Sequence, residues 1–302
     1  MHRFLRSIGF SSIEKRAQWN EVVKEVVTQP DEKYIFEQYG DGLYVEFVKY
    51  YADQCGIAVC GQLEENNTFH VDYSYPFYVD EKVTSTEEIQ IEKETEKDAF
   101  IGSCDDYRIG VTLIFSLQET IKHMTFLQYP EEKQKSYDKE LSLTGMASCG
   151  IIILPLDKDK EAVKVDKDEL KARTDLIHAA MDGDEEAIES LTIEDMDTYS
   201  MIAERITKDD IFTIIDSYFK PDGLECERYG IMGEILDIHY CTNKRTDETI
   251  VQLLISCNDM EFHICVNKKD LLGEPVIGRR FKGSIWLQGR INYKEKKKEI
   301  QN

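Results

Sequence analysis

The sequence predicts an α+β protein. It has a large, mostly antiparallel sheet domain with N-terminal helices, a helical connector, and a small C-terminal β-barrel of OB-like or SH3-like kind. Three observations predict this class. Apolar residues recur with period two over most of 33–155, with helical spacing from Leu170 to Ile206, and with period two again from Tyr229 onward. Short glycine-containing turns join the period-two runs, which favours antiparallel pairing over long crossovers. A charged stretch, LDKDKEAVKVDKDE, separates the first pattern from the second, so the chain divides into 1–157, 158–210 and 211–302.

Each element has its own signal. Ser12 is placed to cap a helix carrying Ile13, Val22, Val23 and Val26, which Gln29-Pro30 ends. KYIFEQYGDGLYVEFVKYY contains two strands joined by Gly40-Asp41-Gly42, and GIAVCGQLEENNTFHVDYSYPFYVD two more that turn at Glu65-Asn66-Asn67. YRIGVTLIFSLQ is rich in β-branched and aromatic residues. LSLTGMASCGIIILP reads as a final pair with a glycine-containing turn. Beyond the charged stretch, Leu170, Ile177, Ala180 and Met181 share a helix face, Gly183 ends that helix, and Asp184 caps the next. Thr192 and Asp195 resemble a capping box ahead of Met196, Tyr199, Ile202 and Ile206. Ile211–Phe219 is ambiguous between strand and helix; its β-branched content and the Pro221-Asp222-Gly223 turn beyond it favour a strand. Three close strands follow, YGIMGEILDIHY, ETIVQLLISCN and MEFHICVN, then a helical-looking KKDLLG and a long strand, RRFKGSIWLQGRI. That order suggests a small barrel, with Gly283 and Gly289 supplying its bends.

Four stretches taken together, MHRFLRSIGFSSI, GVTLIFSLQ, AAMDGDEEAIESLTIEDMDTYSMI and GEPVIGRRFKGSIWLQG, resemble an uncharacterised family of clostridial proteins, a domain of unknown function. The resemblance spans the whole chain. It implies a bacterial cytosolic protein and brings neither an activity nor site residues.

The formal net charge is -22, which disfavours free association of the whole molecule with nucleic acid or an anionic membrane. From Tyr229 onward there are 12 Lys and Arg against 10 Asp and Glu, a net of +2, so the first 228 residues carry -24. The C-terminal part is therefore where an anionic partner meets least repulsion. No apolar run reaches the roughly 20 residues that span a bilayer, and MHRFLRSIGF lacks the apolar segment of a signal peptide. The eight cysteines lie mostly in apolar runs such as GIAVCG and LLISCND, the pattern of reduced, buried thiols in a cytoplasmic protein.

The chemistry-bearing candidates are few. His239 with Cys241 and His263 with Cys265 each place an imidazole and a thiol on one strand face, a zinc-ligand chemistry. In a meander the two pairs are separated by a strand, about 9–10 Å at about 4.8 Å per step, too far to share one ion. His70 and His123 are imidazoles that a thiol nucleophile among Cys55, Cys60, Cys104 and Cys149 would need, but no nucleophile elbow is present. Asp182 to Glu186 lacks the alternating ligands of a calcium loop, and no glycine-rich phosphate loop occurs. No catalytic residue, cofactor or metal is assigned.

RRFKGSIWLQGRI carries the sharpest candidate. Phe281, Ile285, Leu287 and Ile291 form one face, while Arg280, Lys282, Trp286 and Arg290 form a basic face with a tryptophan in its middle. This candidate interaction face is expected to pack on the chain's own acidic domain or on a protein partner. The alternative partner is single-stranded nucleic acid, whose bases stack on aromatic platforms beside cations. The expected function is non-enzymatic binding or regulation.

Overall fold

A computed structural model describes residues 2–38, 42–93, 99–155, 216–223 and 225–296, with a few further positions between 176 and 190. Apart from those positions, the connector expected over 158–210 lies outside the described residues, as do residues 211–215 of the strand expected at Ile211–Phe219. Asp184 is described, and its Oδ1 accepts the N–H groups of Glu186 (2.9 Å) and Ala187 (3.2 Å), as a helix cap does.

A 3-10 turn at Arg3–Ile8 ends on Gly9, whose φ of 85° is the left-handed value that glycine tolerates. Helix α1 (Arg16–Thr28) follows and buries Val22 and Val26. Ser12 does not cap it. The helix begins later, where the Gln18 side chain accepts from the Lys15 N–H at 3.0 Å.

Strands β1 (Glu32–Gln38), β2 (Gly42–Ala52), β3 (Cys55–Leu63) and β4 (Phe69–Tyr78) form a four-stranded antiparallel meander. At the β3–β4 turn Asn67 takes a φ of 64° and the Asn66 side chain accepts from the Thr68 N–H, the expected Asn-rich turn chemistry. The central strands of this sheet, β2 and β3, are buried on both faces. Val45, Phe47 and Tyr51 pack under the N-terminal helices, while Tyr44, Val48 and Glu46 face the other way.

The remaining strands are β5 (Ile89–Lys93), β6 (Phe100–Asp106), β7 (Val111–Leu117), β8 (Tyr137–Ile153), β9 (Tyr218–Pro221), β10 (Arg228–Thr242), β11 (Thr249–Cys257), β12 (Met260–Asn267), β13 (Leu271–Leu272) and β14 (Arg280–Glu295). They share a second, mixed sheet in the order β13-β8-β12-β11-β10-β14-β7-β6-β5, with β9 on β10. Helix α2 (Thr120–Leu127) connects β7 towards β8, and KKDLLG resolves into a 3-10 turn at Lys268–Asp270 followed by β13.

Residues 33–155 are therefore not one sheet. The reason lies in β8, which reads as two strands and a turn but is one strand of 17 residues. Its glycines make room rather than a turn: a Cβ on Gly150 would meet the Phe281 ring at 2.2 Å, and one on Gly145 would meet Ile264 and Ile285 at 2.9 Å. Relieved of side chains there, β8 lies antiparallel along the whole of β14 and parallel to β12. The pairings β8–β12, β12–β11, β11–β10, β10–β14 and β14–β8 close a circuit of five strands.

One core fills this circuit and joins Leu141, Leu143 and Ala147 of β8 to Ile231, Phe262, Ile285 and Leu287. A second lies between the circuit, the four-stranded sheet and the N-terminal helices. Buried amides tie the seam: Gln288 donates to the Pro76 carbonyl (2.9 Å), Gln118 to the Tyr78 carbonyl (2.8 Å), and Gln252 to the Asp53 carbonyl (2.7 Å). Such groups are tolerated inside because each finds a partner.

Candidate functional site

Strand β14 lies between the two cores, which decides the fate of the basic face. Its glycine-containing side, with Phe281, Ile285, Leu287 and Ile291, enters the first core. The other side turns Trp286 into the second core. Trp286 is 6% exposed, its ring 4.3 Å from His2 and 5.7 Å from Phe4, and its Nε1 donates to Ser116 Oγ at 2.9 Å. The 3-10 turn that carries Phe4 is seated by Ser7, which donates to the Ala147 carbonyl at 2.8 Å.

The three cations have different surroundings. Arg280 is 3% exposed and donates to the Leu154 carbonyl; burial lowers its pKa, with Asp216 opposing. Lys282 is half-buried. Arg290 stands ten residues from Arg280, about 33 Å along an extended strand, with its guanidinium 4.0 Å from Glu119. A continuous open basic stripe is absent from the described residues.

The His-x-Cys pairs lie on the side of the β10–β11–β12 meander that meets the four-stranded sheet, with β11 between them, Cys265 buried in the second core and Cys241 half-buried against it. Each histidine faces a carboxylate from the other sheet: His239 lies 3.5 Å from Asp53 and His263 3.2 Å from Asp80. No group of three or more metal-ligating side chains comes together among the described residues. His70 faces Glu64 at 3.0 Å, and buried His123 faces the Tyr293 hydroxyl at 2.6 Å. Burial lowers the His123 pKa to about 4, helped by Lys139. Burial also pushes the thiols of Cys55, Cys60, Cys104 and Cys257 upward, away from nucleophilic thiolate. Cys149 and Cys226 depart from the buried-thiol expectation and are exposed.

The open feature is a groove of about 740 Å³ where the four-stranded sheet meets β14 and α2, bordered by Glu32, Tyr34, Tyr50, Asp53, Asp80 and Arg290. A smaller hollow of about 200 Å³ beside the two histidines shares Asp53, Gln54 and Asp80 with it. Below the groove a nook of about 20 Å³ reaches Glu46. Glu46 is 1% exposed; its carboxylate accepts from Tyr75 Oη at 2.9 Å and, at 3.5 Å, from the Ile121 N–H in the first turn of α2. Burial pushes its carboxyl up to about 7 against both hydrogen bonds. The signal in the sequence is a lone acid inside the apolar run LYVEFV.

These observations define a sheet-rich protein of two sheets, antiparallel and mixed, with a tryptophan seam between cores and an acidic, tyrosine-lined groove. Residues 5–289 match the model of a family described as a domain of unknown function, E. rectale gene description (DUF3881), and the chain belongs to that family. The match covers the stretches on which the clostridial resemblance rests, except for residues 1–4. Comparison with curated proteins and with solved structures yields no match. No helix among the described residues is long and apolar enough to cross a membrane.

Proposed function

We propose that this chain is a non-enzymatic, cytoplasmic binding or regulatory protein in which the Trp286 face of β14 serves packing within the molecule. The observation that carries the reading is the burial of Trp286, 6% exposed, against a stacked Phe4 ring and a tilted His2 ring. An aromatic platform for bases needs an open ring face, and here the chain's own N-terminal turn covers it. The same reading takes the five-strand circuit as a small OB-like or SH3-like barrel. The return of the pairing from β14 to β8 supports this.

The test uses full-length protein carrying Trp19→Phe, so that Trp286 is the one remaining tryptophan. Its emission should be blue-shifted and weakly quenched by acrylamide, and a single-stranded oligonucleotide should leave it unchanged. Strong quenching, or oligonucleotide binding that weakens steeply with salt as phosphate contacts require, overturns the reading in favour of nucleic acid.

A further inference from the structure

The groove and its nook carry a chemistry that the Trp286 face does not. We propose that they bind a primary alkylammonium compound, with one ammonium among Tyr34, Tyr50, Glu32, Glu46 and Glu119 and the chain running out past Asp53 and Asp80. Free polyamines and lysine side chains share this chemistry.

Four observations point the same way. The nook joins aromatic side chains, Tyr34, Tyr50, Tyr75 and Phe77, to three carboxylates, Glu32, Glu46 and Glu119. Ring faces and carboxylates together are what an organic cation is held by. Next, Glu46 is buried with an incomplete set of partners. An ionised carboxylate has about four acceptor positions; the Tyr75 and Ile121 donors fill two, the Cys60 thiol opposite is a weak third, and no cation lies within ion-pair distance of it among the described residues.

Third, the chain already places an ammonium of its own at the mouth. Lys122 Nζ lies 5.1 Å from the Tyr34 ring centroid and 2.7 Å from Glu119 Oε1. It reaches the outer two groups of the nook and acts on Glu46 only through its field, without pairing with it. Finally, the groove has five carboxylates, Glu32, Asp53, Asp80, Glu81 and Glu119, against Lys122, Lys244 and Arg290, within a chain of net charge -22. That balance selects against an anion on Arg290, and the field draws in cations.

Size narrows the class. A nook of about 20 Å³ takes a group the size of a water molecule, so a primary ammonium fits and a quaternary one does not. The groove of about 740 Å³ has length for a chain bearing further ammonium groups.

The experiment is calorimetric titration of the full-length protein at about 0.15 M salt, where surface attraction is screened. The probes are spermidine, an acetylated trilysine amide, tetramethylammonium and Mg²⁺. Saturable one-site binding of spermidine or the peptide is expected, and whichever binds tighter identifies the source; tetramethylammonium and Mg²⁺ should not compete. Glu46→Gln and Tyr34→Leu should each weaken binding about tenfold, the scale of a desolvated cation on an aromatic or carboxylate partner. Lys122→Met should tighten it by about threefold or more by clearing the mouth. Lys122 is exposed enough for the variant to fold. Lys24→Met, an equal charge change on α1, should leave binding as it was. Four results overturn the proposal: no saturable binding of either amine, equal displacement by Mg²⁺ or tetramethylammonium, a Lys122→Met protein that binds no more tightly, or the same gain from Lys24→Met.

Discussion

Glu46 shows what one residue does to the stability of this fold. Its carboxyl titrates near 4.5 in an unfolded chain and at about 7 when folded, because burial disfavours the charge more than Tyr75 and Ile121 favour it. The folded state therefore holds the proton more tightly. The contribution of Glu46 to stability should be constant below about pH 4.5, fall as pH rises to about 7, and stay lower above it, by about 3 kcal/mol in all. Glu46→Gln removes the cost of ionisation and keeps an acceptor for Tyr75. Urea unfolding should find the variant more stable than the parent at pH 8 and no more stable at pH 4.5. A difference that does not change with pH would falsify the assignment. At this scale the sequence was partly legible. Trp286 stands out because a large aromatic between cations is conspicuous, whereas Glu46 does not, because period two leaves open which face of β2 is wetter. The answer depends on α2 and β4, which arrive from elsewhere in the chain.

At the scale of elements, glycine is what allows β8 and β14 to pack as they do. Gly289 of β14 faces Phe115, and a Cβ there would meet the ring at 2.3 Å; Phe115 is fully buried and cannot swing away. Gly230 of β10 is also buried in a strand, but its nearest neighbours stand at 3.5 Å or more, ordinary contact. Gly289→Ala should therefore cost about 1–3 kcal/mol, the range for an overpacked core. Gly230→Ala should fall within about 0.5 kcal/mol of the parent. Equal effects in thermal unfolding would show that close approach is not what Gly289 serves. The same glycines explain which elements were legible. The β1–β4 meander is readable because two of its three turns, Gly40-Asp41-Gly42 and Glu65-Asn66-Asn67, carry Gly or Asn at loop positions. In β8 the identical residue type sits mid-strand beneath Phe281, and sequence alone does not distinguish a glycine that turns the chain from one that admits a neighbour's ring.

At the scale of the molecule, the division at residue 157 separates segments that the structure interleaves. The change of period and the charged stretch are real features of the chain, yet β8 pairs with β14 from Tyr137↔Glu295 to Ile153↔Arg280 and supplies Leu141 and Leu143 to the same core as Ile285 and Leu287. Nothing local announces this, because pairing between residues more than a hundred positions apart leaves no mark on either strand's periodicity. The consequence is measurable. A fragment of residues 211–302 loses β8, so β14 and β12 are left with long unpaired edges and the first core loses one wall. Closing such a sheet from one side leaves backbone donors and apolar area in water, which favours association over folding. The fragment should lack a cooperative thermal transition by circular dichroism and should aggregate on concentration. Supplying residues 137–155 in trans, or fused ahead of residue 216, should restore a cooperative transition. A fragment that melts cooperatively as a monomer without β8 would show that the C-terminal strands close on themselves, and that the β8–β14 pairing joins two finished units rather than completing one.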